Sequence, residues 1–242
     1  MTRHSPKTSL ATAALVAGLS LLVMVGAAPF AEIYAYPRLV STANPALTLK
    51  NITANQSLFA GALLGYTLTF ICDVIVTWAL YVLLKPVHES LSLLTAWFRL
   101  VYTILALAAL LNLVTVWQLI TTDDLSSLVQ PSQLQVQVMI LLNAFRSGFH
   151  FGILFFGIHL VLLGYLVVKS TYIPTLIGAL VILSGLGYLL TTLRPFLFPS
   201  VNVDFAMYTY YGELIFMGWL LIKGRKIQEL NNQCKLPLKV GQ

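Results

Sequence analysis

The sequence predicts an all-α fold, a polytopic membrane helix bundle with six transmembrane helices and both termini cytoplasmic. Three observations predict it. Hydrophobic residues make up 58% of the 242 positions and charged ones 9%, with a mean hydropathy of +0.86. Ordinary soluble domains carry about a quarter charged residues, so this chain lacks the polar surface a water-soluble globule needs. Six apolar runs are each long enough for a hydrocarbon core of ~30 Å, which takes about 20 helical residues. The basic residues divide unequally between alternate connections. Helices are the form such runs take in lipid, where only helices and closed barrels satisfy their own backbone; the alternating ten-residue strands of a barrel are absent. The same composition excludes a nucleic-acid binder, a collagenous or disordered chain and, with only Cys72 and Cys234, a disulfide scaffold.

The first run, about 9–33, follows Arg3 and Lys7. A basic start, an apolar stretch and the small residues Gly26, Ala27 and Ala28 also resemble a signal peptide, but the run exceeds the usual h-region of about 7 to 15 residues and is read as a retained helix. The connection 35–56 is too short for an independent core. Its sequons at Asn51 and Asn55 are taken as chance. The second run, 57–84, ends at Lys85 and Pro86; the third, 91–120, is followed by Asp123 and Asp124; the fourth, 138–168, ends at Lys169. The fifth, 174–193, opens on Pro174 and closes before Pro195; the sixth, 205–222, leads into a basic tail, 223–242. The amino terminus, second loop, fourth loop and tail hold nine Lys and Arg residues, and the other loops hold Arg38, Lys50 and Arg194. Positive charge is retained in the cytoplasm, so nine against three places both termini inside. The expected setting is the bacterial inner membrane, as one multi-pass helical domain over 1–242. The partners expected are the bilayer and anionic lipid at the tail, where Lys223, Arg225, Lys226, Lys235 and Lys239 cluster.

A charge near the bilayer centre is expensive, so ionisable residues within spans are the first candidates for function. Asp73 lies 12 positions from Lys85, His159 ten from Lys169, Glu213 ten from Lys223 and Arg99 ten from Glu89. At 1.5 Å per residue these four share one depth, roughly 15 to 18 Å in. The short link around Pro86 makes the second and third helices antiparallel neighbours, which suits an Asp73–Arg99 ion pair. Each lies on a polar stripe: Tyr66, Thr69, Asp73 and Thr77 on one helix, Ser92, Thr95, Arg99, Tyr102 and Thr103 on the other. A pair that only fastens two helices is the plain alternative, as is an Arg99 that snorkels to the interface. Glu213 and His159 form a second candidate pair, either a proton relay or a neutral clasp. Arg146 and Glu32 are expected together at the outer interface, with His150 on the face of Arg146.

No metal or haem site is expected, because His150 and His159 fall on opposite faces of one helix. No cofactor is expected either: Cys-x-x-Cys and the phosphate loop are missing. Gly148, Gly152, Gly157 and Gly164, with Gly178 and Gly185, read as points of close helix approach. The ordered set Ala31-Glu32, Cys72-Asp73-Val74, Leu84-Lys85-Pro86-Val87, Phe98-Arg99, Phe155 to His159, Leu163 to Leu166, Tyr172-Ile173-Pro174, Gly185 to Tyr188 and Gly212-Glu213 resembles the Domain of Unknown Function 4386 family of bacterial multi-helix membrane proteins. That resemblance implies a six-helix inner-membrane protein and supplies no substrate, reaction or cofactor. Three classes of function follow: a small polar-cavity binding or transport module around Asp73, Arg99, His159 and Glu213; an accessory or structural protein with paired intramembrane charges; and an intramembrane enzyme using Glu213 and His159. The reading leans against an enzyme.

Overall fold

The computed structural model describes residues 9–122 and 130–227. Arg3, Lys7, Asp123, Asp124, Cys234, Lys235 and Lys239, which figure in the charge and cysteine counts, lie outside the described residues. The helices in chain order are α1 (Leu10–Pro29), α2 (Tyr36–Leu39), α3 (Pro45–Ala54), α4 (Gln56–Leu84), α5 (Glu89–Thr121), α6 (Pro131–Lys169), α7 (Thr175–Leu197) and α8 (Tyr211–Lys223). A π-helical turn, Phe30–Ala35, joins α1 to α2, and 3-10 segments at Asp204–Tyr210 and Gly224–Lys226 flank α8. No strand occurs among the described residues. Five helical runs are long and apolar enough to cross a membrane: Leu10–Leu39, Gln56–Leu84, Glu89–Thr121, Pro131–Lys169 and Thr175–Leu197. Large apolar side chains such as Leu64 and Ile140 stand exposed on them, as a lipid-facing surface requires. This is a multi-pass helical membrane protein.

Three departures from the sequence reading have local causes. The first run continues to Leu39, because the chain widens into a π turn instead of breaking. Pro37 has no N–H to complete an α ladder, and ahead of it the Tyr36 N–H reaches back five residues to the Ala31 carbonyl. The connection after it contains a helix, α3: Asn44 caps Leu47 N–H at 3.0 Å and Pro45 occupies the first turn. The sixth run is not one α-helix; its first part, Asp204–Tyr210, is wound as 3-10 and only Tyr211–Lys223 is α-helical.

The chain divides into two compact units. The first comprises Met1–Leu22, Asp73–Val101 and Ile153–Gln242, the second Val23–Cys72 and Tyr102–Gly152. In the first, packing rests on small residues. A Cβ placed on Gly164 would lie 2.6 Å from the Gly178 carbonyl oxygen, so α6 and α7 meet backbone to backbone. Gly18 of α1 receives the Leu221 side chain, and Gly224 the Ala14 methyl group, at similarly close range. In the second, the core is aromatic. Phe145 packs edge-on to Tyr66 at 5.2 Å and stacks on Phe149 at 6.0 Å, while Phe70 meets Tyr102 at 6.5 Å.

Candidate functional site

Each unit holds one cluster of ionisable side chains joined across helices. In the first unit, α4 supplies Asp73, α5 supplies Arg99 and α6 supplies His159. Arg99 Nη2 donates to Asp73 Oδ1 at 2.5 Å, with side-chain exposures of 2% and 0%. Arg99 therefore does not snorkel; α5 begins ten residues earlier, at Glu89, and the guanidinium stays inside. Arg99 Nη1 lies 3.3 Å from His159 Nε2, and His159 Nδ1 lies 2.9 Å from the Thr95 carbonyl oxygen. These two contacts fix the ring. A carbonyl only accepts, so Nδ1 carries the proton; a guanidinium only donates, so Nε2 is bare. His159 is thus neutral, and the cluster carries one positive and one negative charge. Phe156 covers the guanidinium at 5.3 Å from its ring centre.

Asp73 Oδ2 is buried without a hydrogen-bond partner. Beside the cluster is a void of about 10 Å³, lined by Thr77, Ser92, Thr95 and His159 among others. That is room for about one water molecule. Glu213 stands in the first turn of α8, beside the Tyr188 hydroxyl and within electrostatic reach of Arg99 and Asp73. Both ring nitrogens of His159 are engaged with Thr95 and Arg99, leaving neither for Glu213.

In the second unit, Glu32 sits in the π turn, where it accepts from Arg146 of α6 at Oε1 and from the Tyr66 hydroxyl of α4 at Oε2. The pair is partly open, with side-chain exposures of 36% for Arg146 and 32% for Glu32. The Arg146 guanidinium lies 5.0 Å from the Tyr36 ring centre. His150, one helical turn beyond Arg146, is within electrostatic reach of both charges. Tyr66, Tyr36 and Tyr188 are partners that the sequence reading did not assign. The signal for Tyr66 was its place on the polar stripe of α4, but nothing in the chain marked Glu32 as its acceptor.

Among the described residues no three His, Cys, Asp or Glu side chains gather as a metal site would require. Outside the spans, Lys85 pairs with Glu89 at 2.9 Å, and that hydrogen-bonded charge raises the Lys85 ammonium above its ordinary value. Burial likewise pushes the Tyr172 phenol up, so it stays a donor to the Leu83 carbonyl at 2.6 Å.

Fold and clusters together define a class: a multi-pass helical membrane protein in which two arginine–carboxylate pairs join helices. Within that class the chain belongs to the family described as domain of unknown function (DUF4386), whose model matches residues 16–224 and so takes in every candidate residue above. A curated relative from Archaeoglobus fulgidus, described only as an uncharacterized protein, is 38% identical over 169 residues, covering 70% of this chain and 87% of the relative. No solved structure matches.

Proposed function

We propose that this is a six-crossing protein of the bacterial inner membrane, with both termini cytoplasmic, in which the Asp73–Arg99–His159 cluster clamps three helices and the protein's role is accessory or structural. One observation carries the reading. Arg99 and Asp73 are joined and buried, with the Glu213 carboxyl in electrostatic reach, beside a void that admits about one water and no metabolite. A transport or binding site needs convergent polar groups around a cavity of at least some hundreds of Å³ for a small organic ligand. Relay chemistry through His159 is disfavoured because both ring nitrogens are occupied. Support for the sixth crossing is the 23-residue helical run from Asp204 to Lys226, which at 1.5 to 2.0 Å per residue exceeds ~30 Å. Support for a retained first helix is the seating of Ala14 and Gly18 on Gly224 and Leu221.

The test is a thermal-shift screen of ions and metabolites on the purified chain, comparing wild type with Asp73→Asn and Glu213→Gln. A clamp predicts that no ligand rescues or distinguishes them and that Asp73→Asn melts lower in every condition. A ligand that stabilises only the wild type would overturn the reading in favour of binding. Reporter fusions at residue 1, at residue 242 and after residue 122 test the topology; both termini read as cytoplasmic if it holds, and the loop after α5 as extracytoplasmic.

The partial exposure of Glu32 and Arg146 favours a second reading, in which binding occurs there. A guanidinium that already shares its carboxylate with a tyrosine can release it to an anionic ligand at lower cost than one fully buried.

A further inference from the structure

The turn that links α6 to α7 lies against the end of α8, and together they border an open surface cavity of about 650 Å³, lined by residues 170–175 with Trp219 and Lys223. Its floor is held in place. Ser170 donates to the Val167 carbonyl at 2.7 Å, and Tyr172 donates to the Leu83 carbonyl at 2.6 Å. Its chemistry is one-sided. Among the described lining residues the Lys223 ammonium is the only formal charge, and none of them is a carboxylate. Thr171 and Thr175 bring exposed hydroxyl-bearing side chains to the rim, and no side chain caps the first turn of α7 behind them. Trp219, Ile173 and Pro174 supply the apolar wall. The place in the chain matters as much: α6 ends at Lys169 and α8 at Lys223, followed by Arg225 and Lys226, so the cavity falls where spanning helices end on basic residues. Such ends lie at the headgroup layer, where indoles and ammonium groups are favoured.

We propose that this cavity is a binding site for the phosphate of an anionic lipid headgroup, with Lys223 as its counter-charge, the Thr175 hydroxyl as a donor and the Trp219 indole against the glycerol and first acyl carbons. It rests on the reading of α8 as a membrane crossing and is independent of the clamp. It differs from diffuse attraction at the tail, because it assigns the contact to fixed residues around one open surface cavity.

The experiment titrates the full chain in neutral detergent with short-chain phosphatidylglycerol, short-chain phosphatidylcholine or inorganic phosphate, and reads bound ligand by native mass spectrometry. Phosphatidylglycerol is expected to bind more tightly than phosphatidylcholine. Lys223→Gln is expected to weaken its binding about fivefold, the worth of one basic residue near an anionic surface. Trp219→Ala should weaken both lipids, and Lys235→Gln with Lys239→Gln should leave binding unchanged. Thr175→Val, at an exposed position, provides a second variant that does not depend on Lys223. Equal affinity in wild type, Lys223→Gln and Thr175→Val overturns the proposal, as does loss of binding on tail substitution alone. Inorganic phosphate binding as tightly as phosphatidylglycerol would mark a small-anion site and overturn the lipid assignment. The topology fusions read separately, so a misplaced α8 and an empty cavity give different results.

Discussion

The two units solve the same problem differently. In each, a carboxylate and an arginine on different helices meet, an aromatic ring covers the guanidinium and a third polar side chain completes the group. Asp73 and Arg99 are sealed, with His159 neutral beside them; Glu32 and Arg146 are about one-third exposed, with the Tyr66 hydroxyl on the same carboxylate. Removing one member of the sealed pair leaves a buried charge cut off from its surroundings, with the Glu213 carboxyl as the ionisable group still in electrostatic reach. Removing one member of an open pair leaves its partner access to its surroundings. What a charge pair contributes is thus set less by its geometry than by where the survivor can turn.

The largest effect expected from this contrast is at the sealed pair. Asp73→Ala or Arg99→Ala alone should cost about 3 to 5 kcal/mol, the cost of an uncompensated buried charge. Joint replacement by apolar residues, Asp73→Leu with Arg99→Met, should recover most of that loss, since a well-packed apolar substitute of similar volume is often neutral or better. Denaturant or thermal unfolding of the detergent-solubilised protein measures both. A double variant as unstable as the singles would show that the cluster does more than clamp, and would turn attention to the unpartnered Asp73 Oδ2 and to the void beside His159 and Thr95.

Packing sharpens the contrast at a smaller scale. Gly164 in the first unit meets the Gly178 backbone so closely that an added methyl must push two helices apart, so Gly164→Ala should cost about 1 to 3 kcal/mol. Gly152 in the second unit has its nearest neighbours at 3.4 Å, on the Tyr102 ring, and 3.5 Å, on the Leu105 side chain. There the helix preference for alanine, up to about 1 kcal/mol, offsets a slight adjustment, and Gly152→Ala should be neutral or stabilising. Melting temperatures of the two variants, moving in opposite directions or one moving alone, check this; equal losses would show that both units are packed to the same tolerance.

How much of this was legible in the sequence depends on the range of the interaction. Asp73 and Arg99 were readable because the link around Pro86 is short, which makes α4 and α5 neighbours, and each residue lies about the same number of turns from that link. The glycines of α6 and α7 were readable as close approaches because small residues at helical spacing have few other uses in lipid. His159 was found by depth, yet its partners were not, because choosing between Glu213 and Thr95–Arg99 requires the rotation of α6, which spacing alone leaves open. Tyr66 was placed on one stripe with Asp73, whereas the structure gives it to Glu32. The π turn that carries Glu32 had its cause in Pro37, but a proline at that point reads equally as a helix end. The cavity at residues 170–175 combines a turn with a helix some fifty positions later, a juxtaposition that no local pattern encodes.

The smallest effect expected is at the open pair, and it tests the premise of the comparison directly. Glu32→Gln removes the charge but keeps an acceptor for the Tyr66 hydroxyl, and Arg146 retains the Tyr36 ring and its own exposed edge. If that edge meets water or headgroups, the loss should stay under about 1 kcal/mol and shrink further with added salt, as exposed ion pairs do. If it meets acyl chains, the freed guanidinium is stranded as Arg99 would be, and the loss rises to several kcal/mol with no dependence on salt. Unfolding of Glu32→Gln at low and high ionic strength separates the two. The first outcome is expected, because Arg38 stands near the end of the same helical run, four residues after the ring that it covers, and a second guanidinium so close argues for a polar boundary at this level.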